Sequence, residues 1–539
     1  MKDRLRICMA QINPIVGQTE GNQSHILETL QNARQQNADL VVFPELSLTG
    51  YPPEDLLLRQ DFLDQVDHAL EVIARATRDI TAIVGFPERN NGQLFNSAAI
   101  LQNGQILKVY RKQILPNYGV FDEKRYFSEG QSSGLFELNG LTVGVTICED
   151  IWHRGPIEQS VEGGAKLIVS INASPFHAGK LEERHSLVAE RACATQTPIL
   201  YLNLVGGQDE LVFDGASFAI DRHGKLCYQA PEFKEHSGFV EIEAGTEPLL
   251  YPTVLMPPLS EDARIYQALV TGIRDYVLKN GFKGAVLGLS GGVDSALTLA
   301  LAVDALGSDQ VEAVLMPSRY TADMSNEDAI LEAQALECQT HILPIEPAFH
   351  TFLEMLKPVF EGLPNDLTEE NIQARCRGIL LMALSNKKGK ILLTTGNKSE
   401  MSVGYATLYG DMAGGFAPLK DIPKLLVYRL SHYRNSLSPV IPERVLTRPP
   451  SAELRPDQRD EDSLPPYPVL DEILERYIER DQSIADIIAA GLPEHDVRRV
   501  ARMVDRNEYK RRQAPPGVKV TPRAFGRDRR YPMTHGFTH

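Results

Sequence analysis

Gly284-Ala-Val-Leu-Gly-Leu289-Ser-Gly-Gly-Val-Asp-Ser295 is the stretch that decides the architecture of the second half of this chain. Residues 284–289 are small and apolar, as a buried strand requires, and from Val293 to about 306 the chain runs at helical length without a breaker. Between them the adjacent Gly291 and Gly292 give the backbone a turn free of side chains. The neighbours keep the same rhythm. A helix near 261–279 precedes the unit. A strand over 311–316, a helix near 325–338, a strand at 341–345, helical segments to about 388 and a strand at 391–395 follow. Strand and helix alternating at this spacing predict a doubly wound parallel sheet.

The first 245 residues have a different texture. Strands are predicted at 5–11, 39–43, 81–86, 97–101, 108–111, 141–147, 166–171, 198–204 and 216–220, with helices only near 22–37, 61–78 and 180–196. Many strands and few helices predict sheets with helices packed outside. Pro248, Pro252, Pro257 and Pro258 fall in an aperiodic stretch that reads as a linker. The expected division is a domain over 1–245, a linker over 246–260 and a second domain over 261–539. Residues 449–468, rich in Pro and charge, read as a surface loop.

Composition narrows the function. The 539 residues carry 55 Lys and Arg against 71 Asp and Glu, a net charge of −16, with 43% hydrophobic residues. That acidic balance argues against a dedicated nucleic-acid binder. The cysteines at 8, 148, 193, 227, 338 and 376 form no Cys-x-x-Cys pair, which excludes a disulfide scaffold and the common zinc-finger spacings. No apolar run reaches membrane-spanning length and no signal peptide is visible, so a cytoplasmic enzyme without membrane association is expected. Charge is uneven: between Arg498 and Arg530 twelve Lys/Arg face three Asp/Glu, an excess of nine. A solvated helix face explains this, as does a phosphate-bearing ligand.

Gly288-Leu289-Ser290-Gly291-Gly292 fits the Gly-x-Ser-x-Gly elbow of α/β-hydrolases, in the expected strand-to-helix context. The longer run Ser290-Gly-Gly-Val-Asp-Ser295 resembles instead the Ser-Gly-Gly-x-Asp-Ser loop of ATP pyrophosphatases. Its physical logic suits ATP. Gly288, Leu289, Ser290, Gly291, Gly292, Val293, Asp294 and Ser295 would cradle phosphates with backbone N–H groups, hydroxyls and a helix N-terminus. Asp294 could hold Mg2+. The Walker-type Gly-x-x-x-x-Gly-Lys is absent.

Three further residues each close a predicted strand in the first half: Glu45, Lys112 and Cys148. Singly, a strand-end Cys is an ordinary small hydrophobe, and a lone Lys or Glu is ordinarily solvated. Together they form a chemical set: a thiol nucleophile, a carboxylate that takes its proton and later activates water, and a cation for the oxyanion and thiolate. In this chain order the set resembles the nitrilase superfamily. Leu115-Pro-Asn-Tyr-Gly-Val-Phe-Asp-Glu123 and Asn172-Ala-Ser-Pro-Phe176 extend the likeness. The expected fold class is therefore α/β, an N-terminal nitrilase-like αββα sandwich followed by a doubly wound domain of ATP-pyrophosphatase type.

A glutaminase-like amidase followed by such a domain resembles the glutamine-dependent NAD+ synthetase family. The second half is similar to it in Asn371-Ile-Gln-Ala-Arg-Cys-Arg377, Thr394-Thr-Gly-Asn-Lys-Ser-Glu400, Tyr409-Gly-Asp411, Arg448-Pro-Pro-Ser451 and Asn507-Glu-Tyr-Lys510. The resemblance implies glutamine, ATP and deamido-NAD+ as substrates, Mg2+ as cofactor, and a homodimer or higher homo-oligomer. It places Tyr118, Ser174 and Lys180 at glutamine, and Thr395, Lys424 and Ser451 at ATP. It places Asn371, Arg375, Glu400 and Lys510 at the deamidated dinucleotide, with Asp294 and Glu400 on the metal. Plainer readings stand beside these: Glu400 as a helix cap, Lys424 as a surface lysine, Arg375 as a helix-face cation. Tyr118, Ser174 and Lys180 also read as a buried aromatic, a loop hydroxyl and a solvated cation.

Leu408 stands where short relatives carry a lysine, so that ligand contact is not carried over. Trp152, four residues beyond Cys148, either covers the thiol or is core. Glu123 is a fourth carboxylate, of the site or of the surface. GMP and asparagine synthetases share the second chemistry but lack the Glu–Lys–Cys order, and a tRNA-modifying adenylase fits poorly with the acidic charge.

Overall fold

The computed structural model describes residues 4–245, 247–253, 255–455 and 458–537, so 246 and 254 of the expected linker, 456–457 of the expected surface loop, and the termini lie outside the described residues. The chain divides into two compact units, the first ending at Ser260 and the second starting at Glu261, with Asp209–Leu211 grouped in the second. Leu249–Leu250, inside the stretch read as linker, pairs antiparallel with Ile242 and Glu243 and so extends a sheet of the first unit.

The first unit holds two large sheets. One has seven strands in the order Leu249–Leu250, His236–Glu243, Arg4–Gln11, Leu40–Val42, Thr81–Asn90, Gln93–Gln102, Gln105–Arg111. The other has six, in the order Leu226–Gln229, Phe218–Ile220, Ile199–Asn203, Leu167–Asn172, Leu141–Ile147, Gly134–Leu138. Their inner faces share one core, built from Ile7, Met9, Val42 and Ile83 on one side and Val143, Val145, Val169 and Leu202 on the other. Outside, helix Lys180–Thr195 packs on the six-stranded sheet through Val188 and Ala192 against Ile168 and Tyr201. Covered on both faces, Leu167–Asn172 is buried at every position, its two polar residues, Ser170 and Asn172, being hydrogen-bonded to each other.

The second unit is built on four parallel strands in the order Gln339–Ile342, Val311–Leu315, Ala285–Gly288, Ile391–Leu393. Helix Val293–Leu306 follows Ala285–Gly288. Its sequence is apolar almost all round, and accordingly its residues 295–302 are all buried. A second core, of Leu470, Ile473, Ile478, Val497, Val500 and Val504, gathers the helices after Pro466. The stretch 449–468, read as surface loop, is mostly exposed or half-buried but is anchored by Asp460, Leu464 and Tyr467, which are buried, the Tyr467 hydroxyl donating to Asp460 at 2.7 Å. Pro and charge mark irregular backbone there, and apolar side chains fasten it down. Among the described residues no helix is long and apolar enough to cross a membrane.

Candidate active sites

Glu45 follows strand Leu40–Val42, Lys112 follows Gln105–Arg111 and Cys148 follows Leu141–Ile147, so three strand ends from two sheets deliver the set. The turn carrying Glu45 lies directly over Gly85, where a Cβ would stand 2.4 Å from Pro44 O and Leu46 N; only glycine fits beneath it. Lys112 Nζ donates to Glu45 Oε1 at 2.7 Å and to Glu123 Oε1 at 2.8 Å, with all three side chains buried. Asn96 Nδ2 also donates to Glu45 Oε1, and the Ala173 N–H donates to Oε2, at 2.7 and 2.8 Å. The Tyr51 hydroxyl donates to Glu123 at 3.0 Å. Glu123 thus belongs to the cluster and not to the surface.

Burial works against the Lys112 cation, but Glu123 and Glu45 outweigh it and hold the amine well above its ordinary range. Burial pushes the Glu123 carboxyl up to about 7. The Cys148 residue is only 5% exposed. Burial, and then the Glu45 carboxylate, push its thiol well above the ordinary value, against the pull of Lys112. The Lys112 charge, expected to hold a thiolate, is shared by two carboxylates, and this opposes ionisation of the sulfur.

Around the sulfur, the Tyr118 hydroxyl donates to both oxygens of Glu149, at 3.0 and 3.1 Å, while the ring is 59% exposed. Lys180 Nζ pairs with Glu183 at 3.0 Å and lies 3.9 Å over the Trp152 ring, which itself packs on the core under the six-stranded sheet. Burial lowers the Lys180 amine. Ser174 is buried, accepting from Arg184 Nε at its hydroxyl (3.2 Å) and from Arg184 Nη2 at its carbonyl (2.7 Å). Arg184 in turn grips Asp214 with one nitrogen on both oxygens, at 2.7 and 2.8 Å, both side chains being buried. Sequence reasoning missed Arg184, Asp214, Asn96 and Tyr51, whose partners come from distant segments. Replacing Arg184 by methionine strands Asp214 in the core. Loss of one partner of a buried pair costs about 3–5 kcal/mol, so a lowered thermal midpoint is expected in calorimetry.

In the second unit, Leu289 N–H pairs with Val314 O at 2.9 Å and the chain then turns through Ser290-Gly291-Gly292 into the helix. Ser295 Oγ, at the first helical turn, receives the Ser290 N–H at 3.2 Å, lies 3.1 Å from Ser290 Oγ and donates to Gly292 O at 2.9 Å. Strand Ile391–Leu393 runs parallel beside Ala285–Gly288, so Thr395 lies past the same sheet edge. Asp294 accepts from Asn397 Nδ2 at 2.8 Å and pairs with Lys424 Nζ, which also lies 3.8 Å from Glu400. Lys424 is buried here, not a surface lysine. Glu400 receives the Asn397 N–H at 3.3 Å in a reciprocal cap of helix Lys398–Val403, so the capping reading and the cluster hold together. Burial and then Asp294 push its carboxyl up to about 8.

Asn371, Arg375 and Lys510 converge on one loop. Asn371 accepts from the Thr407 hydroxyl at 2.8 Å, Arg375 Nε donates to Leu408 O at 3.2 Å, and Lys510 Nζ donates to Gly404 O and Ala406 O at 2.7 and 2.8 Å. Ser451 is exposed and closes its own turn, donating to Gln458 O at 2.5 Å. The nearby Arg448 reaches Gly291 O at 2.6 Å. Several cations of the 498–530 stretch are paired within the fold: Arg498 with Glu494 and Arg523 with Asp481 from outside it, and Arg511 and Arg512 with Glu508 and Lys519 with Asp528 from inside it.

A nitrilase-type sandwich with a buried Glu–Lys–Cys set, joined to a parallel-sheet domain with a glycine phosphate loop, defines a carbon–nitrogen ligase that carries its own amidase. Two families match the chain accordingly, Carbon-nitrogen hydrolase over residues 6–248 and NAD synthase over residues 265–514. The glutamine-dependent NAD(+) synthetase of Acinetobacter baylyi is 50% identical over 537 residues, 99% of this chain and 98% of its own. That of Thermotoga maritima is 46% identical over 578 residues, with 99% of each chain covered. The solved structure of the Acinetobacter baumannii glutamine-dependent NAD+ synthetase in complex with ADP matches at a TM-score of 0.81, with 47% identity and 98% of both chains covered. The chain belongs to the glutamine-dependent NAD+ synthetase family.

Proposed function

We propose that the first unit frees ammonia from glutamine through a thioester on Cys148, and that the second uses it to amidate adenylated deamido-NAD+. The observation that carries the reading is the buried Lys112–Glu45 pair at 2.7 Å beside the thiol. Glu45 takes the Cys148 proton as sulfur attacks the amide carbon, and Lys112 Nζ stabilises the oxyanion. Ammonia leaves with the proton held by Glu45. Glu45 then removes a proton from water, which attacks the thioester, and glutamate departs as the thiol is restored. Tyr118, Ser174 and Lys180 would fix the glutamine main-chain end, the first two through hydroxyls and the third through its charge.

In the second unit the loop from Gly288 to Ser295 holds the ATP phosphates, with Thr395, Lys424 and Ser451 at further contacts. Asn371, Arg375, Glu400 and Lys510 hold the dinucleotide. Its carboxylate attacks the α-phosphorus, pyrophosphate leaves, and ammonia displaces AMP from the acyl carbon to give NAD+. A carboxylate resists amines until its oxygen leaves readily, and AMP supplies that leaving group. Asp294 and Glu400 fit Mg2+ by their chemistry: they are two carboxyl groups that share the Lys424 amine beside the 288–295 loop. The ion would neutralise charge on the departing pyrophosphate.

A substrate panel tests this. With glutamine and Mg-ATP, deamido-NAD+ is expected to give NAD+, AMP, pyrophosphate and glutamate in equal amounts by chromatography. Xanthosine monophosphate or aspartate is expected to give no AMP. AMP formed from either of those acids would move the chain to a different ligase activity.

A further inference from the structure

Lys112 and Cys148 arrive on strands of different sheets, Gln105–Arg111 and Leu141–Ile147, so no backbone ladder fixes one against the other. Apolar packing between sheets is non-directional and sets such a distance loosely. Glu45 bridges Lys112 to the Ala173 N–H, and a second side chain bonds directly to the backbone beside both Lys112 and Cys148. Asp150, completely buried, accepts at Oδ1 from the N–H groups of Gln113 and Ile114, at 3.0 and 2.9 Å, just beyond Lys112. At Oδ2 it accepts from the Ile147 N–H at 2.9 Å, just before Cys148, and from the Tyr110 hydroxyl at 2.7 Å, two residues before Lys112. The geometry points to Asp150 as the positioning residue that sets the Lys112 amine and the Cys148 sulfur against each other.

Two observations strengthen this. A carboxylate offers about four lone-pair directions, and here four donors occupy them, so the strut is fully engaged. Cys148 itself holds a strained backbone, φ 45° and ψ −97°, which needs support from its flanks. The Asp150 bond to Ile147 supplies that support on one side, and the Cys148 N–H pairing with Ile171 O at 3.0 Å supplies it on the other. Burial pushes the Asp150 carboxyl up to about 6, which leaves it ionised and accepting from all four donors at neutral pH. Asparagine at this position would present N–H to at least one N–H and release one strand end.

The inference rests on the catalytic reading of Cys148, and Cys148→Ala in the same assays separates the two. In the full chain, Asp150→Asn is expected to lower kcat for glutamine hydrolysis at least 100-fold, with the KM for glutamine within threefold. Ammonium-dependent NAD+ synthesis serves as the internal reference and should stay within twofold. The emission of Trp152, the chain's single tryptophan, reports whether the turn after Cys148 keeps its shape and should be unchanged. A kcat within threefold of the parent overturns the proposal. So does a loss accompanied by shifted Trp152 emission and a parallel rise in KM, which marks a role in folding alone. Should Asp150→Asn fail to fold, Tyr110→Phe removes a single donor and decides: a three- to tenfold fall in kcat at constant KM supports the strut, and an unchanged kcat overturns it. Glutamine-dependent synthesis surviving in Cys148→Ala removes the catalytic reading itself.

Discussion

Cys148→Ala is expected to reduce glutamine-dependent NAD+ formation at least about 10³-fold, a loss of roughly 4 kcal/mol of transition-state stabilisation, while ammonium-dependent formation stays within twofold. The asymmetry follows from the structure of the first site. The Lys112–Glu45–Glu123 cluster is assembled by buried hydrogen bonds that do not involve the sulfur, so removing one atom leaves the scaffold standing. The variant loses only the atom that forms the thioester. The second site draws on Asp294, Lys424, Glu400 and the 288–295 loop, none of which is touched. The measurement is NAD+ yield with glutamine and, separately, with saturating ammonium chloride. Persistent synthesis from glutamine would show that another nucleophile opens the amide. Loss of both activities would show that Cys148 carries structure needed throughout the chain.

What was legible in the sequence was what depends on local order. The 284–295 stretch announced its strand, its turn and its helix because each occupies a contiguous run, and all three appear within a residue or two. Glu45, Lys112 and Cys148 were readable because each follows a strand, apolar for Glu45 and Cys148 and mixed for Lys112. Their electrostatics were not. The raised thiol depends on burial and then on the Glu45 carboxylate, a neighbour 103 residues away in the chain. Arg184 with Asp214, and Asp150 with Tyr110, Gln113 and Ile114, are pairings across 30 to 40 residues that only the closed sandwich creates. For the basic stretch after Arg498 the sequence could not show that two of its cations are paired with Glu494 upstream and Asp481 from another helix end.

Gly291→Ala is expected to lower AMP formation at least about 100-fold with either nitrogen source, and to leave nucleotide-free glutamate release unchanged. Gly291 sits at φ +79°, a conformation costly for any residue with a Cβ, and that Cβ would stand 2.2 Å from the carbonyl oxygen of Ser325. The obstacle is backbone in the first turn of helix Asp323–Ala335, so no rotamer change relieves it. Retreat in the other direction is opposed by Arg448, whose guanidinium donates to Gly291 O at 2.6 Å and to Ser325 Oγ at 2.8 Å. The loop is therefore clamped on both sides, and overpacking together with left-handed strain costs about 2–5 kcal/mol, enough to re-aim the N–H groups of Gly292 and Val293. Gly292→Ala is the contrast. Its φ of −90° and ψ of 158° suit alanine, and the nearest atom to a Cβ there is Ser290 Oγ at 3.4 Å. Any defect in that variant measures the room the phosphates need, read as a raised KM for ATP. If Gly291→Ala keeps more than a tenth of the ammonium-dependent rate, the clamp between Ser325 and Arg448 does not govern adenylation, and the shape of the loop is not what activates the dinucleotide.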